Sequence, residues 1–190
     1  YSALEETFFK GIYRLEPGSF LRWKSGSIIL EIQKYFEPSL QPEDGKNERE
    51  WLEDVDRVVK DSVTAHEIAD VEVGTFLSGG VDSGLIASEF GGKRAYTVGF
   101  GQEKSHYNEI QYARNTARQC GLEHKGRRIR AQEFWEAVPE VLYYMDEPLG
   151  DASAVALYFL SMEASKDVKV VVSGEGADEL FGGYRIYCEP

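Results

Sequence analysis

Two short stretches of this 190-residue sequence combine residue types that do chemistry. The first is Ser78-Gly79-Gly80-Val81-Asp82-Ser83, which ends the apolar run Thr75-Phe76-Leu77 and opens a helical pattern. Gly79 and Gly80 can take positive φ and let a bulky anion approach the backbone, while a helix starting near Val81 turns its unpaired N–H groups toward that anion. Ser78 and Ser83 add hydroxyl donors. Asp82, an acid beside an anion, makes sense when a cation sits between them. A Ser-Gly-Gly turn between strand and helix also occurs without any ligand, with Asp82 or Ser83 as a cap. The second stretch shifts that balance. Val168-Lys169-Val170-Val171-Val172 is another β-branched run, and it passes into Ser173-Gly174-Glu175-Gly176-Ala177-Asp178-Glu179. In an open parallel sheet, ligands sit outside the carboxyl ends of the strands, so both loops are expected over one crevice.

Ser78-Gly79-Gly80-Val81-Asp82-Ser83 resembles the pyrophosphate loop of the N-type ATP pyrophosphatases. Ser173 to Tyr184, with Phe181-Gly182-Gly183-Tyr184 at its end, resembles the asparagine synthetase signature. The similarity takes in Ala95 to Phe100 and Asp146-Glu147-Pro148, and so extends over most of the chain from about Trp51 onward. The resemblance implies that ATP is cleaved between its α and β phosphates. The aspartate β-carboxylate attacks the α-phosphorus, pyrophosphate departs, and ammonia displaces AMP to give asparagine. Ser78, Gly79, Gly80 and Ser83 offer donors for the pyrophosphate, and Asp82 and Asp178 are the natural carboxylate pair for magnesium bound to phosphate oxygens. The resemblance further implies that Leu77 and Val98 frame the adenine through backbone contacts, that Ser173 and Gly174 touch the nucleotide, and that Glu175 serves the adenylation step. It places Asp146-Glu147-Pro148 beside the active site; on the residues alone that triplet is also a helix terminator, because proline disfavours helix at the preceding residue. The β-lactam synthetases share this chemistry but carry tyrosine at the position of Glu175, which favours the asparagine synthetases. An ATP-binding module without chemistry is the alternative of a different class.

The elements that must position these loops can be read from periodicity. Val71, Val73, Phe76 and Leu77 form a buried strand, followed by a helix from Val81 to Phe90 that Gly91-Gly92 ends. Ala95 to Phe100 is the next strand, and strand, helix, strand implies a parallel crossover. Glu109 to Gln119 reads as a helix closed by Gly121, Lys125 to Ile129 as a strand, Ala131 to Tyr144 and Ser153 to Ser165 as helices leading to the Val168 strand. The fold class is therefore a doubly wound α/β sheet, of the adenine nucleotide alpha hydrolase type by resemblance, with a small N-terminal β segment. In that segment the strands are expected at Phe8 to Tyr13 and Ser27 to Ile32, with turns at Pro17-Gly18 and Ser25-Gly26.

Residues 1–38 are expected to be the β-rich tail of a glutaminase domain or an interdomain connection, since Glu16-Pro17-Gly18 resembles the link found there in glutamine-dependent synthetases. Residues 39–50, polar and with Pro42, Asp44, Gly45 and Asn47, read as a linker, and 51–190 as the N-terminal part of the synthetase domain. The chain starts at Tyr1 and has no cysteine before Cys120, so glutamine hydrolysis is not expected of this stretch itself. It ends at Pro190, before the helices in which the family carries a phosphate-contacting lysine, and turnover by this stretch alone is not expected either. From Trp51 to Val63 an apolar stripe at helical spacing reads as core packing.

Composition bounds the partners. A formal net charge of -12 argues against nucleic acid or an anionic membrane surface. Two cysteines, Cys120 and Cys188, fit neither a disulfide framework nor a four-ligand zinc site, and reduced thiols in a cytoplasmic protein are the expectation. His66, His106 and His124 lack metal-ligand spacing. Arg127, Arg128 and Arg130 read as a solvated strand edge rather than a triphosphate clamp, and Tyr143, Tyr144, Tyr158 and Phe159 as packing aromatics. The expected small molecules are ATP, magnesium, aspartate and ammonia; a homodimer is left open.

Overall fold

The computed structural model describes residues 5–39, 41–42, 45–101, 108–148 and 150–188. Contacts divide the chain into two units, one of Tyr1–Lys46 with Leu142–Asp151, the other of Asn47–Val141 with Ala152–Pro190.

The first unit contains an antiparallel hairpin, β1 (Ser19–Trp23) and β2 (Leu30–Lys34), in the register Ser19↔Lys34 to Trp23↔Leu30. Gly26, at φ +84°, turns the chain between them, and the Trp23 indole donates to the Ser27 carbonyl at 2.9 Å. The strand expected at Phe8 to Tyr13 is a turn instead. Gly11 sits at φ +83°, Ile12 N–H donates to the Phe9 carbonyl, and the Thr7 hydroxyl bonds both Phe9 N–H and the Ile12 carbonyl. Local side-chain bonding of this kind competes with strand pairing, and only an isolated bridge, Glu6↔Tyr13, remains. Ser19–Trp23, not singled out as a strand from the sequence, supplies the partner strand. In the Leu142–Asp151 segment Asp146 takes φ +61°, and Glu147 pairs with Arg14.

The second unit begins with α1 (Glu48–His66), whose first turn is closed by a capping box. The Asn47 side chain accepts from Glu50 N–H, and the Glu50 carboxylate accepts from Asn47 N–H. The apolar stripe predicted to be core is largely outside it: Trp51, Leu52, Val55 and Val58 are exposed, and Val63 is buried. The helix engages through its C-terminal half, where Lys60 pairs with Glu89 and the following Glu67 carboxylate accepts Gly91 N–H at 2.7 Å.

Four parallel strands follow, β3 (Val73–Phe76), β4 (Arg94–Phe100), β5 (Glu123–Ile129) and β6 (Val170–Val172), in the spatial order β5-β4-β3-β6. Their connecting helices are α2 (Val81–Glu89), α3 (Ile110–Gln119), α4 (Ala131–Tyr144) and α5 (Ser153–Ala164); α6 (Ala177–Phe181) follows β6. Side chains alternate across the sheet with period two, so neighbours in β4 serve different cores. Ala95 packs with Ala87, Ala113 and Ala117 of α2 and α3, whereas Tyr96 packs with Ala164 and Val168. Val98 and Phe100 join Ile129, Ala137, Val141, Val155 and Phe159 beneath α4 and α5. Helices thus cover both faces, as expected for the doubly wound class. Gly74 is glycine for a packing reason: a Cβ there would lie 2.8 Å from the Tyr96 ring. That ring is fully buried, with its hydroxyl donating to Asp167 at 3.2 Å. No helix among the described residues is long and apolar enough to cross a membrane.

Candidate nucleotide site at the strand-order reversal

The spatial order reverses at β3, because β4 and β5 extend the sheet on one side and β6 on the other. The loops leaving β3 and β6 therefore stand at neighbouring carboxyl strand ends, the place where an open parallel sheet of this order forms a crevice. A cavity of about 500 Å³ occupies that place, and its lining divides by chemistry. Phe76, Val98, Phe100, Leu157 and Leu160 make an apolar part, while Ser78, Gly80, Asp82, Ser83, Ser173, Gly174, Glu175 and Asp178 make a polar part. An aromatic base beside a polyphosphate needs that division.

All the predicted site residues except Gly79 line this cavity. The β3 loop is tied together by its own serines. Ser78 and Ser83 hydroxyls are 2.7 Å apart, Ser78 N–H donates to Ser83 Oγ, and Gly80 N–H donates to Ser78 Oγ. Gly80 caps α2 with extended backbone and offers no side chain to its first turn, so the N–H groups there keep their capacity for an anion. Gly79 differs: its N–H donates to Glu109 Oε2 at 3.1 Å, directed at the start of α3.

The two loops touch. A Cβ on Gly174 would lie 3.3 Å from both the Asp82 carbonyl carbon and the Ser83 nitrogen, so glycine there lets the β6 loop close against the start of α2. Beyond it Gly176 takes φ +92° to launch α6, in whose first turn Asp178 stands. Asp178 Oδ1 rests against Gly183, which has no Cβ to displace it, and Gly183 N–H donates to the Asp178 carbonyl at 2.9 Å.

Both backbone polar groups of Leu77 already bond β4: its N–H donates to the Tyr96 carbonyl and its carbonyl accepts the Thr97 hydroxyl at 2.5 Å. A second lone pair on that carbonyl remains for a ligand. Thr97 in turn is 3.0 Å from His124 Nε2. Since the threonine proton goes to Leu77, Nε2 must carry the histidine proton, leaving Nδ1 an unprotonated, buried acceptor without a hydrogen bond among the described residues. Burial, with Arg114 adding a smaller effect, holds the His124 pKa below its ordinary 6.5.

Five carboxylates line the cavity, those of Asp82, Glu109, Glu175, Asp178 and Glu179, and no lysine, arginine or histidine joins them among the described lining residues. Tyr184, a further lining residue, donates to Glu179 at 2.8 Å, and that bond foremost pushes its hydroxyl up to about 12. Glu109, Thr97, Glu179 and Tyr184 were not singled out as site residues from the sequence. Glu179 and Tyr184 fall inside the signature stretch and Thr97 inside the similar Ala95 to Phe100 strand, whereas Glu109 carries no local signal.

Other residues weighed in the sequence lie elsewhere. Arg127 and Arg130 both reach Glu133, whose carboxyl they hold down to about 2, Arg130 chiefly. The Arg127 guanidinium also sits 4.8 Å above the Phe159 ring. Arg127, on the edge strand β5, and Arg130, just beyond it, are thus both engaged by the first turn of α4. Tyr143 and Tyr144 are exposed, contrary to the packing role expected, and their rings meet edge to face; Phe159 is buried as expected. His66 bonds the Ser62 carbonyl of its own helix, and His106 lies outside the described residues. Asp146-Glu147-Pro148 belongs to the first unit.

A family model described as asparagine synthase matches residues 54–190. A Mycobacterium tuberculosis relative named as a glutamine-hydrolysing asparagine synthetase is 43% identical over 189 residues, 97% of this chain and 29% of that protein. Asparagine synthetase 1 of Bacillus subtilis, likewise named as glutamine-hydrolysing, is 39% identical over 184 residues, 94% of this chain and 28% of that protein. The chain thus spans less than a third of the length of these curated relatives. Among solved structures, an NH3-dependent NAD synthetase from Campylobacter jejuni aligns with a TM-score of 0.45 and 18% identity, over 71% of this chain and 62% of that one.

Proposed function

The chain belongs to the asparagine synthase family, and from that premise we propose that Asn47–Val141 with Ala152–Pro190 is the ATP-binding part of a synthetase that adenylates the side-chain carboxylate of aspartate and passes it to ammonia. The observation that carries this reading is the contact of Gly174 with Asp82 and Ser83, which joins the two signature loops over one cavity.

Each residue then has a task. Adenine lies in the apolar part beside Val98, with Leu77 and Val98 offering backbone groups. The pyrophosphate lies against Ser78, Gly80, Ser83 and the first turn of α2, where fixed donors stabilise the charge that develops as it leaves. Ser173 and Gly174 close over the nucleotide from the opposite loop. Glu175 faces the reacting carboxylate and phosphorus.

A triphosphate among five carboxylates requires cations, and this supports a place for Mg2+. Asp82 and Asp178 suit it. No group of three potential ligands is found among the described residues, and Mg2+ is commonly held by one or two carboxylates with phosphate oxygens and water completing the shell. When bound, the ion neutralises phosphate charge and steadies the leaving group.

By the same reading, residues 1–38 are the tail of a glutaminase domain that supplies ammonia in the intact protein, and residues 39–50 connect it to the synthetase part. The full-length protein, given ATP, Mg2+, aspartate and ammonium, is expected to release pyrophosphate and form asparagine in equal amounts. Pyrophosphate release that does not depend on aspartate would overturn the choice of acceptor. No release and no ATP binding would overturn the reading altogether.

A further inference from the structure

Gly79 is not among the residues that line the cavity, although it sits in the middle of the loop that does. Its N–H donates to Glu109 Oε2 at 3.1 Å, across thirty residues of sequence. The same glycine packs on α3: a Cβ at Gly79 would lie 3.3 Å from Tyr112 Cβ and 3.6 Å from Glu109 Cβ. Glu109 itself stands on a rigid base. Its carbonyl accepts Ala113 N–H at the first turn of α3, and Ala113 and Ala117 on that helix are wholly buried against the sheet. From there its side chain reaches both the back of the loop and the cavity wall.

We propose that Glu109 is a positioning residue of the phosphate loop, holding Gly79 to α3 so that the Ser78, Gly80 and Ser83 groups stay turned toward the phosphates. The loop needs such a tether because two adjacent glycines have the largest conformational freedom to lose when an anion binds. Its other hydrogen bonds, Ser78 N–H to Ser83 Oγ and Gly80 N–H to Ser78 Oγ, run within the loop and the start of α2, so they fix its shape but not its placement against a neighbouring element. The Gly79 bond is the one recorded for these three amides that leaves the loop for another helix. A carboxylate acceptor also makes the bond stronger than a neutral one.

The inference rests on the nucleotide reading given above, and the experiment separates the two. In the full-length protein, Glu109→Gln keeps an oxygen that can accept the Gly79 N–H, whereas Glu109→Ala removes it. Hydrogen exchange of the ligand-free protein, read on the peptide that spans Leu77 to Gly80, reports the tether without any nucleotide. Exchange there is expected to rise in Glu109→Ala and to stay near the parent in Glu109→Gln. Calorimetric ATP affinity in saturating Mg2+ is expected to fall by about tenfold in Glu109→Ala, the scale of one hydrogen bond to a charged group, and by about threefold or less in Glu109→Gln. Unchanged exchange in Glu109→Ala overturns the tether. Faster exchange with unchanged ATP affinity overturns its role in positioning. Equal losses in both variants, seen at limiting Mg2+ and absent at saturating Mg2+, would make Glu109 a ligand of the cation and overturn the proposal. Tighter ATP binding in Glu109→Ala would make it a competing anion, with the same result. If the parent itself binds no ATP, the nucleotide reading and the positioning role built on it both fall, and the exchange data alone judge the tether.

Discussion

Gly174 lies against the backbone at Asp82: a Cβ there would approach the Asp82 carbonyl carbon and Ser83 nitrogen to 3.3 Å and the Asp82 Cβ to 3.4 Å. Two stretches more than ninety residues apart are thus held in contact by the absence of one side chain. Gly174→Ala demands a shift of a few tenths of an ångström, and Gly174→Val adds branches that the same gap cannot hold. Overpacking of this kind costs about 1–3 kcal/mol, here applied to the spacing of the two loops. ATP affinity measured by calorimetry is expected to fall modestly in the alanine variant and at least about tenfold in the valine variant, with circular dichroism unchanged. Parent-like affinity in Gly174→Val would show that the loops need not close on each other.

Asp82 is exposed on the first turn of α2 and belongs to none of the apolar cores, so Asp82→Ala leaves the fold as it is. It is expected to abolish the Mg2+-dependent part of ATP binding. Calorimetric titrations with and without Mg2+ decide the matter, and equal affinity in mutant and parent would remove Asp82 from the cation site.

Gly183 offers a test of Asp178 that alters no acid. A Cβ at Gly183 would meet Asp178 Oδ1 well inside van der Waals contact, so Gly183→Ala must turn the carboxylate away. Displacing a group that orients a metal ligand typically lowers metal affinity by about 10–100-fold. The Mg2+ concentration giving half-maximal ATP binding is expected to rise within that range. No change would mean that the orientation of Asp178 is immaterial to the ion.

Much of this geometry was legible in the sequence because strand ends, glycines and acids signal locally. Val81 as the start of α2, Ala131–Tyr144 as a helix and the placement of Asp82 and Asp178 on the lining of one cavity all followed from residue type and spacing. What escaped depends on partners distant in sequence. Glu109 gains its role from an amide thirty residues away, and Thr97 from the Leu77 carbonyl on the neighbouring strand. In the first unit, Phe8 to Tyr13 has strand composition, but Thr7 and Gly11 close it into a turn, and Ser19–Trp23 pairs as a strand despite a mixed composition. The Trp51 stripe has the period of a core helix, yet burial depends on which half of α1 meets α2, and period alone does not say.

His124 should give the chain an acid-sensitive component of stability. Its folded pKa lies below 6.5, chiefly because burial disfavours the charged ring, so the unfolded chain takes up the proton first. The stabilisation is complete above the unfolded value and is lost as pH falls toward the folded one. Between about pH 7 and about pH 5 the parent is expected to lose more stability than His124→Gln, a variant that cannot titrate there. Urea midpoints at both ends of that range test it, and parallel losses in the two proteins would refute it.

Glu175 is exposed at the cavity, between Gly174 and Gly176, with its own N–H 3.4 Å from Ser173 Oγ. Gly176, in the left-handed region at φ +92°, turns the chain immediately after it. Among the described residues no donor is recorded for its carboxylate, unlike Glu179 with Tyr184 or Glu109 with Gly79. An exposed side chain of this kind has little to contribute to the fold, so Glu175→Gln should leave stability almost unchanged. If Glu175 positions or deprotonates a reacting group, the same change in the full-length synthetase should preserve ATP affinity and slow adenylation by about 100-fold or more, the usual scale for lost general acid or base catalysis. Rapid-quench measurement of adenylate formation from aspartate and ATP separates the chemical step from binding and release. An unaltered rate would make Glu175 a bystander at the mouth of the cavity. A loss of ATP affinity equal to the loss of rate would assign it to nucleotide binding instead.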